Sequence, residues 1–329
     1  MSSLKIRSAK VIRTLARSNP SLGRLIHRVY RKPKVINSPT HIQTSGKSYI
    51  LIQSRESGER SVGIYLRGAC DLPAMFSMAP MIRKTIKGSC CIVRDPIQIA
   101  GSRSDFMLEV ACHDEAATDA QEHARERLSL RQDYFKARLF EPTFEIPNPR
   151  FKGVFPKTVV VLSLAPDFSR TLYRHRRHGF LVDPGGFWLS QSMDRVLTDM
   201  SAVKWFNENF ESVGRLTVGE FRESFASVVE RLQSGIGARV LVFNLLTVDP
   251  GEPVHSYRLI KQSDTQRRRE FNIALAELSA QLDFDILDVD RILKRGGVRQ
   301  QVDFAHFSEQ QFAPVALEGY RILREREVL

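Results

Sequence analysis

Cysteine is scarce in this chain, with 4 in 329 residues. Cys90 and Cys91 are adjacent, Cys70 and Cys112 stand alone, and no Cys-x-x-Cys occurs. Neither a disulfide framework nor a cysteine-built zinc site is expected, and a reducing compartment is the default. Long apolar runs are missing as well: none approaches the roughly 20 residues that a membrane-spanning helix requires. The N-terminus lacks the uninterrupted apolar core of a secretory signal. Acid is absent from residues 1–55, which hold 12 Lys and Arg and no Asp or Glu. Those side chains account for the whole formal charge of +12, so residues 56–329 balance at 37 basic and 37 acidic groups. The positive charge belongs to an arm, and the body carries no nucleic-acid signature.

What is present is 42% hydrophobic and 26% charged, enough to bury a core and build one large or two small domains. Within the arm, Leu22, Leu25, Ile26, Val29 and Tyr30 recur at helical spacing, with Arg24, His27, Arg28 and Arg31 on the other side. A weaker stripe of Leu4, Val11, Ile12 and Leu15 breaks at Asn19-Pro20. Two short basic amphipathic helices are expected. Residues 1–34 could lie on an anionic membrane surface, dock on a protein partner, remain a solvated tail or serve as an Arg-rich presequence; nucleic acid is the weaker alternative. Lys32 to Gly46 reads as linker. The expected division is 1–55 as arm and linker and 56–329 as one domain.

Five apolar runs in the body read as strands: Val62–Leu66, Cys90–Val93, Thr158–Leu164, Arg239–Leu246 and Phe284–Val289. The run from Thr158 is continuous, as a strand buried on both faces of a parallel sheet should be. Helices are expected around Met75–Ile82, within Phe106–Leu139, over Asp194–Phe210, over Val218–Leu232, from Asp264, and after Ser308. Thr217 with Glu220 makes a capping box, and Phe221, Phe225, Val228 and Leu232 form the buried stripe behind it. Lys294–Gly297 reads as a turn, and Pro314 as a distortion of the last helix. The expected fold is α/β: a doubly wound, mostly parallel five-stranded sheet in a flavodoxin-like three-layer sandwich, with a basic helical N-terminal arm.

Chemistry is expected where the strands end. Asp303 and His306 stand three residues apart, so the carboxylate can lean on the imidazole and leave its other nitrogen free to take a proton. Cys70 follows the first body strand in the turn Gly68-Ala69-Cys70, where a helix N-terminus lowers a thiol's pKa. A small buried packing residue is the alternative for Cys70, and an ordinary loop histidine the alternative for His306. The dense basic stretch with Arg170, Arg174, Arg176 and Arg177 could hold phosphates or be a solvated face. His113, His123 and His255 show no ligand spacing, so no metal is expected.

These residues in this order resemble the SGNH (GDSL-type) esterase and acyltransferase superfamily, over about residues 60–325. The Gly-x-Cys turn is similar to the branch encoded with bacterial capsule and exopolysaccharide biosynthesis, in which Cys replaces the usual Ser. The resemblance implies Cys70 as nucleophile, His306 as general base and Asp303 as its orienting acid, with Gly68, Gly101 and the neighbourhood of Asp167 in the oxyanion regions. Two departures stand out: Ala69 lies inside the first turn, and Leu164-Ala165-Pro166-Asp167 stands where the superfamily has Gly-x-Asn-Asp, so the donor Asn is missing. An oxyanion donor is worth about 2.7 to 4 kcal/mol of barrier. The resemblance further implies a glycan or glycan precursor as substrate, no bound cofactor, acyl-CoA as a candidate donor, and a cytoplasmic location, peripheral on the inner membrane face if the arm docks there. The alternative is a non-catalytic glycan-binding or scaffold module.

Overall fold

The computed structural model describes residues 41–44, 47–52, 61–67, 72, 89–94, 103–108, 115–127, 157–182, 199–247, 264–296 and 309–328. The chain divides into two compact units, 1–40 and 41–329. The expected helices of the arm and of Met75–Ile82 lie outside the described residues, as do Gly68, Cys70, Gly101, Asp303 and His306.

All five expected body strands form: β3 (Ser61–Arg67), β4 (Ser89–Arg94), β5 (Lys157–Ser163), β9 (Arg239–Phe243) and β10 (Asp285–Leu287). They are parallel neighbours in the order β4-β3-β5-β9-β10. Numbered by their own sequence, that order is second, first, third, fourth, fifth, the flavodoxin-like winding. The expected count of five is too low. β1 (His41–Thr44) and β2 (Lys47–Ile52) form an antiparallel hairpin, and β2 pairs with β4 to extend the sheet to seven strands. Residues 41–44 and 47–52, expected within the arm and linker, therefore belong to the sheet. Ser45 and Gly46, which read as linker punctuation, fall between two paired strands instead.

A separate three-stranded sheet has the order β7-β6-β8, from β6 (Leu172–His175), β7 (Leu181–Val182) and β8 (Phe210–Gly214). Against it packs α4 (Met200–Asn209), whose Ala202, Val203 and Phe206 join Phe180, Val182 and Phe210 in a small core. α2 (Glu115–Arg127) adds Ala124 to that cluster.

The period-2 alternation of the central strands explains the layers. On β5, Val160 and Leu162 point to one face while Val159 and Val161 point to the other; Val240 and Val242 of β9 join the first pair, and Leu241 and Phe243 the second. All four β5 residues are at most 1% exposed, as a strand covered on both faces demands. The first face receives α5 (Val218–Ile236) and α6 (Asp264–Leu282) through Phe221, Phe225, Phe271 and Leu275. The second receives α7 (Val289–Gly296) and α8 (Glu309–Glu325) through Leu293, Val315, Tyr320 and Leu323.

α5 starts as expected: the Thr217 side chain accepts from the Glu220 N–H, and Glu220 reaches back to the Thr217 N–H at 2.7 Å. It ends at Gly237, whose φ of 63° is the left-handed cap that glycine adopts without strain. Residues 294–296, expected within a turn, complete α7, because Leu293 is drawn into the core one turn after Val289. α8 runs through Pro314 without a break.

Candidate functional site at the carboxyl edge of the sheet

In this winding the strand order reverses between β3 and β5, and ligands of such sheets bind outside the carboxyl ends of the strands at that point. Arg67 pairs with Leu162, so the chain leaves β3 level with the end of β5. β5 runs directly into the short α3 (Ala165–Ser169), with Pro166 in its first turn and Asp167 buried. The segment after β4 returns as α1 (Ser104–Leu108).

Asp167 joins these two exits. Its Oδ1 accepts from the Ser104 N–H at 2.6 Å and lies 2.7 Å from Ser104 Oγ, while Oδ2 is buried without a partner. The side chain is 1% exposed. Burial pushes its pKa from the ordinary 3.8 to about 7; the two Ser104 bonds oppose the rise, Asp105 adds to it, and Arg103 opposes it. Beyond Ser104 the chain of contacts continues to Ser224 Oγ at 2.6 Å and from there to the Glu220 carbonyl at 2.7 Å. Arg103, 1% exposed, braces the same region. It forks onto Asp105 and donates to the carbonyls of Arg170 and Gly214.

The carboxyl ends of β9 and β10 are tied by polar side chains. Asn244 donates to Asp288 at 2.8 Å, the Thr247 N–H donates to Asp290 at 2.7 Å, and Lys294 Nζ reaches both Thr247 Oγ1 and Asp290. Asn272 of α6 brackets Leu245 with one donated and one accepted bond.

The expected basic stretch proves to be β6 and the turn after it. Arg170 is buried at 5% exposure. Arg174 donates to the Gly179 carbonyl, Arg176 pairs with Glu211 at 2.9 Å, and Arg177 is exposed. His175 stacks on Phe180 with ring centroids 4.8 Å apart, and its Nδ1 accepts from the N–H groups of Arg177 and His178. Burial, then electrostatic repulsion from His178 and Arg177, lowers its pKa. These contacts organise the small sheet.

Positive charge gathers instead where α5 and α6 begin. Both helices run antiparallel to the sheet: α5 ends two residues before β9, α6 ends just before β10, and Gln233 ties those two ends together through the Leu282 carbonyl. Their first turns therefore open at the carboxyl edge. There Arg215, Arg267 and Arg268 lie over the Phe168 ring at 5.5, 5.6 and 4.9 Å, and Arg267 also lies over Phe271 at 4.5 Å. The sequence carried a signal for this. Arg267 and Arg268 precede Phe271 by four and three residues, so both share the inner face of α6 with it.

α8 also opens toward this edge. Arg326, just past its C-terminal end, pairs with Asp285 at the start of β10, so the helix of about 25 Å begins toward the carboxyl edge and ends at the amino edge. A larger cleft of about 730 Å3 flanks β10; of its four arginines, Arg321 and Arg326 are paired with Glu318, Glu325 and Asp285, and Arg291 and Arg295 line it as well. Among the described residues no group of His, Cys, Asp and Glu could hold a metal, and no helix is long and apolar enough to cross a membrane.

No family model and no curated protein matches this chain. Several solved structures resemble it. A lipase/acylhydrolase from Enterococcus faecalis is 12% identical with a TM-score of 0.38, covering 82% of this chain and 97% of its own. A member of the lipolytic G-D-S-L family from Veillonella parvula is 7% identical with a TM-score of 0.36, covering 81% and 99%. A mutant of an acetyl-xylooligosaccharide esterase from Geobacillus is 8% identical with a TM-score of 0.35, covering 82% and 94%. With TM-scores below 0.5 the likeness assigns neither a family nor a residue role.

Proposed function

We propose that the chain is an SGNH-like esterase or acyltransferase with Cys70 as nucleophile, His306 as general base and Asp303 as the acid that orients it. The supporting observation is the direction of two elements. β3, which the sequence continues into Gly68-Ala69-Cys70, ends beside β5 at the reversal of strand order. α8, which His306 precedes by three residues, opens toward the same edge.

In this scheme His306 takes the Cys70 proton, the thiolate forms an S–C bond to an acyl carbonyl, and the leaving alkoxide departs with the proton from His306. Water or a sugar hydroxyl then attacks the thioester, giving its own proton to His306, and the thiolate is released. The proposed acceptor class is a glycan or its precursor. Membrane or partner docking through residues 1–34 belongs to the same proposal.

Hydrolysis of p-nitrophenyl acetate by the full chain tests it. Cys70→Ala should lower kcat by at least about a thousandfold, with an unchanged urea midpoint, in the range seen when an activated nucleophile is removed. Undiminished turnover in Cys70→Ala sinks the nucleophile assignment. No hydrolysis by the wild type, together with a thiol at position 70 inert to iodoacetamide, favours the non-catalytic binding module.

A further inference from the structure

Arg215, Leu216, Thr217, Val218 and Arg267 line a cavity of about 310 Å3 at the carboxyl edge. That volume falls at the lower end of the ligand-pocket range of about 300–1,000 Å3. Two guanidiniums share its wall, and their charges are incompletely answered. Arg215 meets Asp264 through Nη1 at 3.2 Å, yet its Nε and Nη2 have no partner. Arg267, 7% exposed, gives Nη2 to the Leu216 carbonyl and leaves Nε without a partner. Among the described residues Arg267 forms no ion pair.

Burial of a guanidinium without a counter-charge costs more than the stacking on Phe168 and Phe271 returns, unless something else supplies acceptors. Burial and the repulsion of Arg215 push the Arg267 pKa down to about 10, with Asp264 and Glu270 opposing and Arg103 adding to the fall. α5's own terminus is already occupied by Glu220 through the capping box. The arginines, and not a helix end, therefore define the need.

We infer that Arg215 and Arg267 form an anion site for a phosphate group of the protein's substrate. Three unpartnered N–H nitrogens on two planar forks match the three terminal oxygens of a phosphate monoester better than the two of a carboxylate. Arg215 is 27% exposed and lines the cavity together with Arg267. The site lies on the same edge as the end of β5, so a phosphorylated donor or acceptor bound there would extend toward the proposed acyl chemistry. It does not depend on Cys70, and its test is a binding measurement.

Thermal melts and titration calorimetry of the full chain and of Cys70→Ala, at constant ionic strength, use inorganic phosphate, pyrophosphate, coenzyme A and acetate. Phosphate should raise Tm saturably in both proteins, and acetate should not. Arg267→Gln and Arg215→Gln should each weaken phosphate binding by about tenfold or more, the scale of one hydrogen bond to a charged group. Coenzyme A binding tighter than pyrophosphate assigns the phosphate to the acyl donor; the reverse order assigns it to the acceptor. A response equal for phosphate and acetate, or phosphate binding unchanged in both variants, overturns the site. Should Arg267→Gln fail to fold, Arg215→Gln, at a partly exposed position, decides alone.

Discussion

Replacing Asp167 by Asn should change the sign of its effect on stability between pH 4.5 and pH 8. A buried acid whose folded pKa lies above its unfolded value stabilises the fold fully below the unfolded pKa, and loses that contribution as pH rises through the folded one. Here the window runs from 3.8 to about 7. Three units at 1.36 kcal/mol each give about 4 kcal/mol, the amount by which ionised Asp167 weakens the fold at pH 8 relative to pH 4. Asn keeps the acceptor for the Ser104 N–H but places an amide where Oδ2 has no partner, at a cost of about 1–3 kcal/mol. The variant should therefore be less stable than wild type by up to about 2 kcal/mol at pH 4.5, and more stable by about 1–3 kcal/mol at pH 8. Urea unfolding followed by tryptophan fluorescence measures both, and titrations elsewhere cancel in the difference. An identical wild-type-to-variant difference at the two pH values would refute a neutral Asp167.

Thr217→Ala removes the hydroxyl that caps α5 and frees Glu220, and should lower stability by about 1 kcal/mol in the same urea assay. Phe271→Ala empties a fully buried position against Phe168, Phe221 and Arg267, and should cost about 3–5 kcal/mol; a loss below 1 kcal/mol would mean that the core can close over the gap.

The five parallel strands were legible because each is a short apolar run, and a strand covered on both faces has no polar positions to blur it. β5 is the clearest case, from Val159 to Leu162. The small sheet was not legible. β6 reads Leu-Tyr-Arg-His, and β8 runs through exposed Glu211, Ser212 and Val213, so neither offers an apolar run, and their core forms only when α4 and α2 arrive. The hairpin β1–β2 was masked by Ser45 and Gly46, which read as linker punctuation. Asp167 was placed by resemblance near the oxyanion region, but its protonation could not be read, because its burial is completed by Ser104, 63 positions earlier in the chain. Local spacing records a helix face or a strand; it does not record which distant loop will close over a carboxylate.

The carboxyl edge gathers groups that the rest of the fold would reject. α5 and α6 both start there, and the N-terminus of each carries about half a positive charge, which disfavours a nearby cation by about 0.3–1 kcal/mol. Acids belong at such an end, and Glu220 and Asp264 occupy those positions on α5 and α6. Arg215 and Arg267 stand beside the same two ends, against the dipoles, partly dehydrated, and Arg267 without an ion pair among the described residues. Stacking on Phe168 and Phe271 fixes where the guanidiniums sit, but an aliphatic side chain such as Met would fill that space without the electrostatic cost. Asp167 has the opposite mismatch, an acid that accepts from the first N–H of α1 and whose pKa burial nevertheless raises to about 7. Both mismatches lie beside the exit of β5, where the strand order reverses. A site that binds an anion and handles a proton requires cations that are not yet neutralised and an acid that has not yet ionised.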